Sequence, residues 1–94
     1  MKSFAALILA SPDEKGVDVA ARRLARAAPR ASDLEVLGPA PAPLAILRSR
    51  HRRRFLVKAS RAADIQGVIA AWLNRVEIPS SVRLYVDIDP YSFL

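Results

Sequence analysis

The spacing of apolar residues along the chain predicts alternating strands and helices. A continuous apolar run over residues 4–10 is typical of a strand buried on both faces, as a central strand would be. Apolar residues then recur at helical spacing over residues 12–28, and again over residues 65–76. Apolar and polar side chains alternate over residues 82–89, which predicts a final half-buried strand.

Serine residues mark where the two helices are predicted to begin. Ser11 can cap the first helix, with Pro12 at its first position and Glu14 completing a capping box. Ser60 can cap the second helix in the same way. Trp72 shares the apolar stripe of that second helix, so it is expected in the core rather than on a base-stacking surface.

The middle of the chain combines a proline-rich segment with a basic strand. A short strand is predicted at residues 34–37, and residues 38–43 are predicted to be a stiff connector because their three prolines cannot belong to an interior strand. Residues 52–59 are predicted to form the next strand, in which side chains alternate between two faces. One face would carry Arg52, Arg54, Leu56 and Lys58, and the other would carry Arg53, Phe55 and Val57.

The predicted order of elements is βαββαβ, the split βαβ pattern of ferredoxin-like α+β domains. Residues 1–94 are predicted to be a single domain, with a four-stranded antiparallel sheet covered by two helices on one face. The other face would be open. The predicted register places Arg83 and Tyr85 on this open face beside the basic stripe, an arrangement that suits single-stranded nucleic acid.

Charge is concentrated in the segment that contains the basic strand. Of the fifteen Lys and Arg residues, seven lie between Arg48 and Arg61, and no acidic residue occurs from Val36 to Ala63. The net charge of +6 therefore has a local origin, and a dense positive patch is the expected footprint for a polyanionic partner. The simpler interpretation, a solvated charged surface, remains open from the residues alone.

Several classes of chemistry have no support in the sequence. The chain has no cysteine, its one histidine, His51, has no ligand cluster around it, and its three glycines form no phosphate-binding loop. Asp87 and Asp89 project to the same side of the last strand, but two carboxylates alone make a weak metal site. We therefore expect no metal or cofactor and no autonomous catalysis. The longest apolar run is too short to cross a bilayer, so a soluble, cytoplasmic protein without membrane contacts is expected.

Three segments of the chain carry recognisable motifs: a Gly-Pro-x-x-Ala-Pro type segment at residues 36–44, the Arg-rich strand at residues 50–58, and the ending at residues 82–94 that contains Asp-x-Asp-Pro. Together they resemble the C-terminal domain of primosomal protein N′, the PriA-type family of replication-restart helicases. The resemblance runs over nearly the whole chain in the same order. One departure is that family members often carry a Trp among the arginines, whereas here His51 and the following arginines occupy that place.

The resemblance implies that the chain is a C-terminal fragment of a larger ATP-dependent, zinc-containing helicase that uses ATP and Mg. Such a parent would unwind DNA in the 3′-to-5′ direction at stalled forks, and it would meet single-stranded DNA-binding protein and other primosome proteins. This chain alone would be a DNA-binding accessory domain for single-stranded or forked DNA. The matching positions imply DNA contacts at Arg48, Arg50, Arg52, Arg53, Arg54 and Lys58.

Two other functions are weighed against direct DNA binding. In the first, the domain docks helicase lobes and acidic partner tails, such as that of single-stranded DNA-binding protein. Arg61 at the start of the second helix is a candidate contact for that tail, and Arg83 and Tyr85 are candidate partner-binding residues on the open face. In the second, the chain is a free-standing RNA-binding protein of ribosomal type.

Overall fold

Four strands and two helices make up the part of the chain that the computed structural model describes, residues 2–47, 49–60 and 64–88. Their order along the chain is βαββαβ, as predicted. The elements are β1 Lys2–Ser11, α1 Glu14–Arg26, β2 Leu34–Leu47, β3 Arg50–Ser60, α2 Ile65–Asn74 and β4 Arg83–Ile88.

The strands form one antiparallel sheet in the order β2-β3-β1-β4. β1 and β3 are the two central strands and pair along their length, from Lys2 opposite Ser60 to Ser11 opposite His51. The predicted ferredoxin-like α+β fold is therefore confirmed, and so is the central position expected for the first strand from its apolar run.

The core lies between one face of this sheet and the two helices. The sheet contributes fully buried side chains from alternate positions of its central strands, and the helices contribute residues at helical spacing. The largest of these buried side chains are Trp72, Phe55, Leu7, Leu9, Leu24, Val17 and Val57. The indole of Trp72 meets the ring of Phe55 edge to face at a centroid distance of 5.4 Å, so the prediction that this tryptophan is a core residue is confirmed.

Both helices begin later than the serine pattern predicts, because aspartates cap them. Asp13 caps α1 by accepting a hydrogen bond from the backbone N–H of Lys15 at 3.1 Å. Ser11 is instead the last residue of β1, and its hydroxyl accepts a hydrogen bond from the N–H of Asp13 at 3.0 Å. The prediction of Ser11 as the cap is therefore wrong. The carboxylate of Asp13 at the start of α1 also interacts favourably with the positive end of the helix dipole.

The second helix repeats this pattern. Asp64 caps α2 by accepting a hydrogen bond from the N–H of Gly67 at 3.0 Å. Ser60, the predicted cap, is the last residue of β3, and its N–H donates to the carbonyl of Asp33 at 2.9 Å. Ser60 therefore belongs to the sheet, through this hydrogen bond to Asp33, and does not cap α2.

The proline-rich segment is part of a strand rather than a connector, which corrects the prediction for residues 38–43. β2 runs through it as the edge strand, with register shifts between Leu37 and Ala40 and between Pro41 and Ile46. An edge strand tolerates proline because only one of its sides needs backbone donors. Gly38 adopts a φ of 113°, and a Cβ there would lie 2.6 Å from the carbonyl oxygen of Arg54, so the first bulge requires glycine.

Neither helix in the described ranges has the length and apolar character needed to cross a membrane.

Candidate nucleic-acid interface

The two faces of β3 have different environments, and the alternation of its sequence is the cause. Phe55 and Val57 are fully buried beneath the helices and hold the strand in place. Arg52, Arg54 and Lys58, which alternate with them, lie on the opposite face and are only partly covered. The predicted division of this strand into a core side and a basic side is confirmed.

The uncovered side of the sheet, called here the open face, is organised in rows that cross the strands. Residues paired across antiparallel strands share a face, so the register fixes which side chains are neighbours. Arg52 lies in a row with Ala10 and Arg83, and the next row contains Arg54, Ile8 and Tyr85. The predicted placement of Arg83 and Tyr85 beside the basic stripe is therefore confirmed.

Apolar side chains occupy the centre of the open face. The third row runs from Leu37 through Leu56 and Ala6 to Asp87, and Phe4 belongs to the fourth row, opposite Lys58. Leu37 and Tyr85 are 40% and 53% exposed. The face thus combines charged side chains with an apolar surface against which nucleic-acid bases can stack.

Charge is distributed unevenly along the open face. Lys58 faces Glu35 across the β2–β3 pair, and Asp87 lies on the neighbouring row of β4, so that end is close to neutral. The opposite end, nearest the β2–β3 turn, carries four arginines, and none of the acidic residues in the described ranges falls on the open face there. We call this the positive end, and its members are Arg50, Arg52, Arg54 and Arg83.

Arg53 lies away from the positive end, on the helix side of the sheet. Its Nε donates to Asp18 Oδ1 at 3.2 Å, and its NH2 group donates to Glu14 Oε2 at 3.2 Å. Its side chain is only 16% exposed, and His51 Nδ1 lies 3.8 Å from the same Glu14 oxygen. Arg53 therefore joins β3 to the first turns of α1, and two carboxylates already occupy its donors.

Two of the predicted contacts fall on residues outside the described ranges. These are Arg48, which lies between β2 and β3 in sequence, and Arg61, which follows β3. Asp89, the second member of the weak carboxylate pair, is also outside them. Among the residues that are described, no group of three or more His, Asp or Glu side chains is placed to hold a metal ion.

Sequence reasoning missed two features of the sheet. Leu37 and Ile46 on the edge strand β2 are both exposed, Leu37 on the open face to 40% and Ile46 near the end of the strand to 64%. The ion pairs of Arg53 were missed as well. The sequence did contain a signal for these ion pairs. Arg53 is two residues before Phe55, so it lies on the same side of β3 as the core residues, which is the side that faces α1.

Comparison with known sequences places residues 2–91 within a profile described as "Primosomal protein N C-terminal domain". "Replication restart protein PriA" of Rickettsia felis is 36% identical over 89 residues, which are 95% of this chain and 14% of that protein. The Rickettsia conorii protein of the same name is also 36% identical, and that of Rickettsia typhi is 34% identical, with the same coverage. The chain thus spans about 14% of the length of these relatives.

Proposed function

Because the chain belongs to the primosomal protein N C-terminal domain family, we propose that it is a DNA-binding accessory domain of a replication-restart protein. In this role it contacts single-stranded or forked DNA through the open face, next to helicase lobes elsewhere in the parent protein. ATP-dependent 3′-to-5′ unwinding, with Mg, belongs to those lobes, and Zn belongs to other parts of the parent protein. This domain supplies affinity and orientation.

The observation that carries the proposal is the positive end of the open face. Phe55 and Val57 anchor β3 in the core, so Arg52 and Arg54 extend from a rigid strand rather than from a flexible tail. A guanidinium group on a strand that is already ordered costs less backbone freedom when it binds a phosphate than one on a flexible tail, and its planar fork matches the phosphate oxygens. No acidic side chain described on the open face at this end offsets the charge.

The apolar centre of the face favours an unpaired strand over a continuous duplex. A duplex presents mainly phosphates to a flat surface, whereas a single strand can also turn its bases toward Tyr85 and Ile8. Stacking on an aromatic side chain contributes about 1–3 kcal/mol per base, comparable with a charge-assisted contact. Arg54 shares the row with Ile8 and Tyr85, so charge and stacking surface are adjacent.

A charge-matched pair of triple variants tests the proposal. Changing Arg50, Arg52 and Arg54 together to Ala removes three charges from the positive end, and we expect single-strand affinity to fall by about a hundredfold at low salt. The control is Arg22, Arg26 and Arg30 changed to Ala, which removes three exposed charges from α1 and its following loop. Fluorescence anisotropy with a labelled single strand measures both.

The control separates position from net charge. Both triple variants carry the same net charge, so long-range attraction falls equally in the two proteins. If the α1 variant loses as much affinity as the β3 variant, or if neither loses any, the open face is not the DNA-binding surface.

A second function, docking of a protein partner, is favoured by the exposed apolar residues of the open face. Leu37 and Tyr85 present an apolar surface beside arginines, a combination that also suits the helicase core or an acidic tail such as that of single-stranded DNA-binding protein. Calorimetric titration with the acidic tail peptide tests this function. Binding that is lost on Leu37→Ser and Tyr85→Ser, together with unchanged DNA affinity, would favour docking over DNA contact.

A further inference from the structure

The turn between β2 and β3 combines an exposed aliphatic side chain with a local excess of positive charge. Leu47 pairs with Arg50 across the two strands, and Ser49, which precedes Arg50, adopts a φ of 63°, in the left-handed region. Ile46 lies one pair before this turn, opposite His51. We call the described residues Ile46, Ser49, Arg50 and His51 the hairpin tip.

Ile46 is unusual among the apolar residues of the chain. At 64% it is the most exposed large hydrophobic side chain in the described ranges, and it lies apart from Leu37 and Tyr85, which belong to the open face. A single aliphatic side chain at the end of a hairpin contributes nothing to the core. It is available to pack against a partner that approaches the end of the sheet.

Charge defines the chemistry of that partner. The sequence has no acidic residue between Val36 and Ala63, and the positive end of the open face begins at the hairpin tip with Arg50. Glu14 is the acidic residue nearest the tip on a packed element, and Arg53 holds it at 3.2 Å. The partner should therefore offer an apolar surface bordered by negative charge.

We propose that the hairpin tip packs against the end of a DNA duplex, with Ile46 on the terminal base pair where a fork opens. The end of a base-pair stack is a flat apolar surface bordered by phosphates, and an aliphatic side chain that inserts against a base step partly unstacks it. The proposal rests on the proposed DNA-binding function. It adds a junction contact that the open face alone does not supply.

The direction of β3 connects the tip to the open face. From Arg50 the strand runs past Arg52 and Arg54 toward Lys58, a distance of roughly 26 Å at about 3.3 Å per residue. Ile46 lies on the side of the sheet that His51 occupies, so an unpaired strand that leaves the duplex there would cross the end of the sheet and then meet these cations in succession. The apolar rows would then lie beneath its bases.

The test uses the 94-residue chain with two DNA probes, a single strand and a forked duplex that carries 2-aminopurine at the terminal pair. For the unaltered protein we expect tighter binding to the fork, and a rise in 2-aminopurine fluorescence as the terminal pair unstacks. Ile46→Ser should abolish the rise and lower fork affinity by about fivefold, with single-strand affinity unchanged. Ile46→Leu should preserve both signals.

Val86→Ser provides the matched control, because Val86 is exposed to 40% on β4, away from the tip. It should leave both signals intact. If Ile46→Ser binds the fork and raises the fluorescence as the unaltered protein does, the junction contact is excluded while open-face binding can still stand. If the unaltered chain binds neither probe, the proposed function fails as well. Binding to phosphatidylserine vesicles that depends on Ile46, without a fork signal, would overturn the proposal in favour of a lipid surface.

Discussion

Arg53 and Arg54 are neighbours in the chain and have opposite environments. Arg53 is held by Asp18 and Glu14 on the helix side, whereas Arg54 lies on the open face in a row with Ile8 and Tyr85. Alternation in a strand is the whole cause, since consecutive side chains point to opposite faces. Two residues of the same type therefore serve different purposes, one in packing and one on the surface.

This difference predicts opposite results for two single variants. Arg53→Ala should lower the free energy of unfolding by about 1 kcal/mol, because its partners are about half exposed and solvent weakens the ion pairs. It should lower single-strand affinity by at most about twofold. Arg54→Ala should lower affinity by about fivefold or more and leave stability nearly unchanged. Urea denaturation and anisotropy measure the two quantities, and equal affinity losses would contradict the assignment.

At the scale of elements, the ends of the two helices are joined by three reciprocal hydrogen bonds. Trp72 Nε1 donates to the carbonyl of Leu24 at 3.0 Å, and the Arg75 guanidinium donates to the carbonyl of Ala27 at 2.8 Å. In return, Arg23 donates to the carbonyl of Glu77 at 2.9 Å. The last carbonyls of a helix have no partner within it, so Trp72 and Arg75 complete the end of α1, while Arg23 holds the segment that follows α2.

Trp72→Phe tests the buried member of this set. The variant removes the donor to Leu24 and leaves a small cavity beside Phe55, so we expect the free energy of unfolding to fall by about 2 kcal/mol. Urea denaturation followed by circular dichroism measures the change. Tyr85→Phe removes a polar group from an exposed ring and should cost less than about 0.5 kcal/mol. Similar losses in the two variants would mean that the indole hydrogen bond contributes little.

At the scale of the whole molecule, the two layers separate structure from binding. The described residues form a slab of 38 × 29 × 16 Å, with helices and core on one side and the open face on the other. The arginines of α1 are exposed on the helix side, whereas those of the positive end lie on the sheet side, where Arg83 is exposed and the other three are partly covered. A strand of DNA that lies along the open face therefore meets the positive end and not the arginines of α1.

This separation predicts a modest salt dependence. If the four arginines of the positive end contact phosphates, the logarithm of single-strand affinity should fall with the logarithm of salt concentration with a slope of about −3. If all seven cations between Arg48 and Arg61 were engaged, the slope would be about −5. Titrations at several salt concentrations distinguish the two values. A slope near zero would mean that the contact is apolar rather than ionic.

The elements differ in how far the sequence could predict them. The alternation of β3 and the helical stripe that contains Trp72 were sufficient to place core and surface correctly. In each element the spacing of apolar residues puts them on one side, and that side is the buried one. The helix starts were predicted wrongly, since both Ser11 and Asp13 are good caps and pairing between strands decided which residue belonged to β1. The prediction of a connector at residues 38–43 was wrong for a similar reason. Prolines exclude an interior strand but not an edge strand, and only the pairing of all four strands places β2 at the edge of the sheet.

The sequence by itself determined the order of elements, the two-sided basic strand and the family to which the chain belongs, because each depends on residue types at short spacing. Tertiary structure alone decided which acidic side chains lie beside the arginines and the lysine of β3. Neutralisation of Arg53 requires α1 to lie beside β3, and the asymmetry of the open face requires Glu35 and Asp87 to meet it from β2 and β4. Those acidic residues are far from the arginines in sequence, and their effect exists only once the register of the sheet is fixed.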